Sequence, residues 1–120
     1  MITDPAYLVG LGGAIGAVCR YLLGEIVPTG SFPFGTLTVN VLGSFVLGFV
    51  TFLGIGEELL LLVGTGACGS FTTFSSFSVD TVQLHEDGLS PRAIAFAIAN
   101  LLGALLAIGF AWLLAEGVTG

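Results

Sequence analysis

Apolar residues fill four long blocks of this chain, and short segments rich in polar residues, glycine or proline separate them. A helix that crosses a bilayer needs about 20 mainly apolar residues. Four such helices fit, over approximately residues 6–26, 35–54, 59–84 and 91–115. We therefore predict an all-α integral membrane protein with four transmembrane helices in a single domain over residues 1–120.

The third block contains a segment of different character, residues 69–78, which begins with glycine and combines hydroxyl side chains with three phenylalanines. Non-helical backbone at membrane depth is tolerated only where it is buried in protein or lines a cavity. Gly66 and Gly69 permit backbone conformations that are closed to other residues. We therefore predict that the third helix is broken at mid-membrane, near residues 69–72, at the centre of an ion pathway.

Composition supports a membrane protein and limits its partners. Hydrophobic residues make up 55% of the chain and charged residues only 8%, whereas about a quarter of a soluble domain is charged. The net charge is −6, and the only basic residues are Arg20 and Arg92. This acidic balance argues against nucleic acid as a partner. The two arginines fall at the same end of the predicted bundle, a weak bias that leaves insertion in both orientations open.

Small residues recur at four-residue spacing, as in Gly12 with Gly16 and Ser44 with Gly48. Such faces allow helices to approach closely in lipid. Because four helices of this length enclose little interior of their own, we expect an oligomer.

Polar residues of the second block share one helix face. Thr36, Asn40 and Ser44 are spaced i, i+4 and i+8. They form either a polar track for a hydrated species or a set of interhelical hydrogen bonds. The amide of Asn40 needs partners at mid-membrane. Asn100, the polar side chain inside the fourth block, is interpreted as a helix–helix contact.

The break itself offers groups of both polarities. Carbonyls near Gly69 and Thr72 would lose their helical partners and would suit a hard cation such as sodium. The downstream half-helix begins near Thr73, and its N-terminal N–H groups favour an anion. Phe74 and Phe77 face the same way at i, i+3, either as ordinary packing or as ring edges that hold a small anion.

Arg20 falls within the first predicted span, whereas Arg92 lies at the very start of the fourth. Arg20 is either a functional charge or a side chain that extends to the interface. Carboxylates occur only near span ends, and the sequence contains no Ser-His-Asp, metal-ligand or phosphate-loop pattern. We therefore predict that the protein is not an enzyme.

Taken together, these residues resemble the CrcB/Fluc family of fluoride channels over essentially the whole chain. The resemblance is carried by GG, GA and RY within residues 12–21, by GTL, VN and G within 35–43, and by G followed by TTFSSFS within 69–78. The last of these is the most specific.

The resemblance implies a multi-pass protein of the plasma membrane that exports fluoride passively through an antiparallel, dual-topology dimer with two pores. The dimer would be a homodimer or a heterodimer with a homologous subunit. Arg20 would lie near a vestibule, and the backbone carbonyls of Gly69 and Thr72 would hold a structural sodium ion. The fluoride pathway would comprise Asn40, Phe74, Phe77, Ser76, Thr36 and Thr73.

One departure and two alternatives accompany this interpretation. Many relatives have a hydroxyl one turn after the position of Asn100, where this chain has Ala104 followed a turn later by Ile108, so the polar track is thinner there. A proton-coupled antiporter of the small multidrug-resistance type would need a mid-membrane carboxylate, which the first block lacks before Glu25. A non-transporting assembly subunit would not account for the break.

Overall fold

The computed structural model describes residues 4–28 and 30–120. The helices are α1 (Pro5–Ile26), α2 (Phe34–Leu53), α3 (residues 57–71), α4 (Phe74–Glu86) and α5 (Ser90–Thr119). Helices α3 and α4 are the two halves of one span of 30 residues, and the structure has four segments long and apolar enough to cross a membrane. No strand occurs in the described ranges. The prediction of an all-helical fold with four membrane-length segments is confirmed.

Local sequence explains where these helices begin and end. The Asp4 carboxylate accepts a hydrogen bond from the Ala6 backbone N–H at 2.9 Å, which caps α1, and Pro5 suits the first helical turn. Gly54 follows α2 with φ 66°, and Gly56 has φ 101°. Because side chains disfavour these torsion angles, the short turn into α3 depends on glycine.

Glycines of α1 bring its backbone directly against α3. A Cβ atom built at Gly12 would overlap the carbonyl oxygen of Leu62, and one built at Gly16 would overlap that of Ala67. Since the obstructing atoms belong to backbone, no side-chain rotation could relieve the overlap. The prediction that this glycine spacing permits close helix approach is confirmed.

The remaining helices extend the packing order from α3 to α2, from α2 to α5, and from α5 to α4. Gly48 of α2 lies close to Ala111 of α5, and the Val41 side chain of α2 fills the space beside Gly103 of α5. The main apolar cluster joins α4 to α5 through Leu84, Ala93 and the fully buried Phe96, with Phe32, Leu37, Phe77 and Leu89 packed around them. This cluster packs α4 against α5 near the loop that joins them.

Helix α3 contains a π-helical stretch, Leu60–Cys68. The Gly69 N–H accordingly donates to the Gly64 carbonyl, five residues back. Gly69 has helical torsion angles, φ −62° and ψ −34°, and Gly66 is not among the glycines with positive φ. The expectation that Gly66 and Gly69 supply special backbone conformations is therefore wrong. Gly66 is needed for space instead, because a Cβ there would lie 2.8 Å from the Val9 carbonyl oxygen.

The third span breaks at two extended residues near its middle. Thr72 has φ −81° and ψ 161°, and Thr73 has φ −150° and ψ 121°. The interruption lies at the downstream edge of the predicted range 69–72. Threonine adopts these extended angles without strain, so the break results from the contacts around it rather than from glycine.

Candidate functional site

The side chain of Thr73 begins the second half of the broken span. Its hydroxyl oxygen accepts a hydrogen bond from the Ser76 backbone N–H at 3.0 Å and lies 3.3 Å from the Ser75 hydroxyl. Threonine is a favoured N-cap residue because it satisfies one N–H of the first turn. Helix α4 therefore starts where the sequence predicted, and its N-terminal end faces the break.

The Asn40 amide holds both backbone groups of Thr73. Its Oδ1 accepts from the Thr73 N–H at 2.8 Å, and its Nδ2 donates to the Thr73 carbonyl at 3.1 Å. The side chain thus replaces the partners that the extended backbone has lost. This satisfies the requirement that polar backbone inside a membrane be paired within the protein.

Asn100 extends this contact from α2 to α5. Its Oδ1 accepts the second amide hydrogen of Asn40 at 3.0 Å, and its own Nδ2 donates to the Phe96 carbonyl at 2.9 Å. The interpretation of Asn100 as a helix–helix contact is confirmed. Sequence reasoning missed that its partner is Asn40, and nothing in the spacing of the two residues could have revealed it.

Carbonyl groups on the upstream side of the break lose their helical donors. In a continuous helix the Thr73 N–H would donate to the Gly69 carbonyl and the Ser76 N–H to the Thr72 carbonyl. Both N–H groups instead donate to side chains, those of Asn40 and Thr73. The end of α3 therefore presents carbonyl oxygens that lack these bonds.

Two cavities lie beside the break. The entrance cavity, of about 850 Å³, opens between the ends of α1 and α4, and its lining includes Arg20, Thr36, Ser76 and Asp80. The second cavity, of about 600 Å³, is lined by residues of both halves of the broken span and of α2 and α5, including Asn40, Ser44, Gly69, Thr72, Phe74, Phe77, Asn100 and Ala104. Thr73 lines both cavities, so the predicted residues of α2 and the third span lie beside two cavities that share this residue.

The Thr36 hydroxyl is engaged across the entrance cavity. It donates to the Asp80 carboxylate at 2.7 Å. Sequence reasoning treated Asp80 as a residue near a span end, although its position two turns after Thr73 on α4 would have been a usable signal. Because Arg20 shares the cavity with Glu25, Asp80 and Asp87, the entrance is richer in carboxylates than in basic groups.

The phenylalanine rings of the break differ in their surroundings. The rings of Phe74 and Phe77 lie 5.7 Å apart between centroids, and the Phe77 ring lies 5.6 Å from that of Phe96. Phe77 is therefore held by the α4–α5 cluster. Phe74 is 79% exposed, so its own chain supplies little of its packing.

Arg20 is exposed on α1 and lines the entrance cavity. Its neighbours there include Tyr21 and Glu25 of the same helix. The position is compatible with both interpretations offered by the sequence.

Comparison with known proteins identifies the family. Residues 7–113 match the family model described as "CrcB-like protein, Camphor Resistance (CrcB)". The chain belongs to the CrcB family. It is 56% identical over 109 residues to fluoride-specific ion channel FluC 2 of Haloarcula marismortui, and the aligned region covers 91% of this chain and 92% of that protein.

Other CrcB relatives match at similar coverage. Identity to FluC 1 of Halobacterium salinarum is 52% over 113 residues, covering 94% of this chain and 95% of the relative. Identity to FluC of Thermotoga maritima is 42% over 126 residues, covering 98% of each. The resemblance to the CrcB/Fluc family is therefore confirmed, and so is the prediction of a multi-pass membrane protein that is not an enzyme.

Proposed function

We propose that this protein is a fluoride-selective channel of the plasma membrane through which fluoride leaves the cytoplasm passively. One observation carries the proposal: the chain is 56% identical, over nearly its whole length, to a protein named as a fluoride-specific ion channel. The two cavities beside the broken span, which share Thr73 in their linings, support the proposal of a path through this region. The same match disfavours the antiporter and the assembly subunit.

Fluoride moves past weak donors rather than fixed charges in this proposal. Phe74 and Phe77 turn the positive edges of their rings towards the anion, and Ser76 offers a hydroxyl in the entrance cavity. Weak, repeated binding of this kind lets an ion enter and leave quickly. Thr36 and Thr73 border the same path from α2 and from the break.

Asn40 borders the path, but both of its amide hydrogens are donated to other groups of the protein. One hydrogen goes to the Thr73 carbonyl and the other to Asn100, and an amide nitrogen has only these two. We therefore assign Asn40 to the wall of the pathway, where it shapes the break.

A structural sodium ion fits the upstream side of the break. Sodium is a hard cation that prefers oxygen ligands, and the Gly69 and Thr72 carbonyls lack the helical donors described above. No group of three or more His, Cys, Asp or Glu side chains that could hold a metal occurs in the described part of the chain. Backbone carbonyls would therefore hold the ion.

The thermal midpoint of the purified protein should rise in sodium chloride relative to N-methylglucamine chloride.

A dual-topology dimer would complete the pathway. Phe74 is largely exposed, and a Cβ built at Gly69 would meet no atom outside its own stretch of helix within 4 Å among the described residues. Polar backbone beside such an opening is unfavourable against lipid, so a second copy is the natural cover. Antiparallel pairing is supported by the feeble charge bias of Arg20 and Arg92, with Arg20 near the vestibule of each subunit.

The experiment that tests the function is fluoride efflux from liposomes that contain the purified protein alone, read with a fluoride electrode. A chloride electrode supplies the ion control, and Phe77→Ile supplies a pathway variant that keeps apolar bulk. Fast fluoride loss without chloride loss, abolished by Phe77→Ile, is the expected result.

Absence of efflux from folded protein would indicate that a homologous partner subunit is required, which co-reconstitution would restore. If co-reconstitution also gave no efflux, the fluoride channel would be rejected.

A further inference from the structure

We propose that Asn100 is a positioning residue of the ion pathway, which acts through Asn40 on the backbone of Thr73. The three residues belong to α5, α2 and the break, and their hydrogen bonds form one chain from the Phe96 carbonyl to both backbone groups of Thr73. The functional part of this inference rests on the proposed fluoride channel.

The direction of the chain follows from its buried end. Asn100 is 7% exposed, and its Nδ2 rather than its Oδ1 faces the Phe96 carbonyl, because an amide oxygen there would meet another acceptor. Its Oδ1 therefore faces Asn40 and can accept only from the Asn40 Nδ2. The orientation of one amide thus sets the orientation of the next.

The orientation of Asn40 matters because the two backbone groups of Thr73 need opposite partners. The Thr73 N–H needs an acceptor and its carbonyl needs a donor, and the observed orientation of Asn40 supplies both. If Asn40 were turned over, its Nδ2 would meet the N–H and its Oδ1 would meet the carbonyl, so both contacts would become repulsive. Asn100 removes this alternative by accepting the remaining Asn40 hydrogen.

The energetic setting makes this control effective. Thr73 and Asn100 are only 9% and 7% exposed, so an unpaired polar group there is costly, and linked hydrogen bonds strengthen one another. No buried side-chain nitrogen or oxygen lacks a hydrogen-bond partner in the described residues. Each side-chain nitrogen and oxygen of the two amides therefore has a partner, and loss of one member leaves another unpaired.

The first test compares fluoride efflux rates of Asn100→Leu, Asn40→Ala and the double variant. The fluoride efflux rate of each single variant should fall about tenfold or more. This is the size of effect expected when a buried hydrogen bond loses one of its two partners. The double variant should be no slower than the worse single variant, because both substitutions remove the same function. Losses that multiply would overturn the proposal.

Thr51→Val is the matched control. The Thr51 hydroxyl donates to the carbonyl four residues back, that of Leu47, at 2.7 Å, as the Asn100 amide does to Phe96. It has no further hydrogen bond in the part of the chain that the structure describes. We expect wild-type efflux, which shows that the effect at Asn100 comes from its link to Asn40.

The second test does not depend on transport. Amide hydrogen exchange, measured by nuclear magnetic resonance in bicelles, should be faster at Thr73 in Asn100→Leu, while amides along the α1–α3 contact keep wild-type rates. An unchanged rate at Thr73 would overturn the proposal. If wild-type protein transported no fluoride, the proposed function would fail, but this measurement would still decide the positioning role.

Asn100→Ser covers the case in which the leucine variant does not fold. A serine hydroxyl can donate to the Phe96 carbonyl, but its oxygen lies one bond closer to the backbone and falls short of Asn40. Faster exchange at Thr73 is expected here too, and wild-type exchange in this variant would refute the role of Asn100.

Discussion

Substitution of Gly43 by alanine should disturb the residue at which the third span breaks. A Cβ atom built at Gly43 would overlap Cγ2 of Thr72 and lie 3.3 Å from Cδ2 of Phe71. Thr72 is stiff at χ1 because it is β-branched. Its hydroxyl also donates to the Cys68 carbonyl at 2.8 Å, so rotation away from the new methyl group would break that hydrogen bond.

The expected magnitude follows from two opposing terms. Overpacking by one methyl group costs about 1–3 kcal/mol, whereas alanine in a helix gains about 1 kcal/mol over glycine. Gly10→Ala is a control for the second term, because a Cβ at Gly10 meets nothing within 4 Å. We therefore expect the free energy of unfolding of Gly43→Ala to lie about 1–3 kcal/mol below that of Gly10→Ala.

The assay is reversible unfolding in mixed detergent micelles, followed by circular dichroism, with fluoride efflux measured on the same preparations. Thr72→Ser provides a rescue, since serine keeps the hydroxyl that bonds Cys68 and lacks the obstructing Cγ2. The double variant Gly43→Ala, Thr72→Ser should recover most of the lost stability and transport.

Two results would refute this reasoning. If Gly43→Ala were as stable and active as Gly10→Ala, the contact between Gly43 and Thr72 would not be as close as the structure indicates. If Thr72→Ser failed to restore the alanine variant while being stable by itself, the cost would have a source other than Cγ2.

Three further substitutions test the site and its support. Thr73→Val should lose about 1 kcal/mol of unfolding free energy and slow efflux because it removes the cap of α4, whereas Thr73→Ser should retain both; equal loss in the two variants would count against capping. Gly12→Ala should prevent normal folding, since its Cβ would overlap the Leu62 carbonyl. Gly13→Ala should fold, because the nearest atom of another helix to its Cβ is the Gly66 carbonyl oxygen at 4.0 Å. Size-exclusion chromatography and thermal unfolding separate the two outcomes. Phe77→Ile should abolish fluoride efflux with little change in thermal midpoint because bulk against the α4–α5 cluster is kept, and retained efflux would exclude the ring edge from the pathway.

Sequence reasoning reached the parts of the site that depend on residue type along the chain. Thr73 was recognised as the start of the downstream half-helix, since a hydroxyl residue ahead of a new helical turn is a local signal. Asn40 was recognised as a residue in need of partners because an amide at mid-membrane cannot remain unpaired. Gly66 was misjudged, because a glycine required for space and one required for torsional freedom look identical in a sequence. Gly69 was misjudged as well, since it has helical torsion angles and open space beside it.

The sequence by itself determined the number of spans, the presence of a break and the family, because apolar length and residue order are properties of the chain alone. Only the tertiary structure decided what holds the break open. Asn40 lies 33 residues from Thr73 and 60 residues from Asn100, so their pairing depends on how α2, α5 and the broken span pack. A hydrogen bond requires atoms within about 3 Å in a suitable orientation, and only the assembled helices impose that geometry.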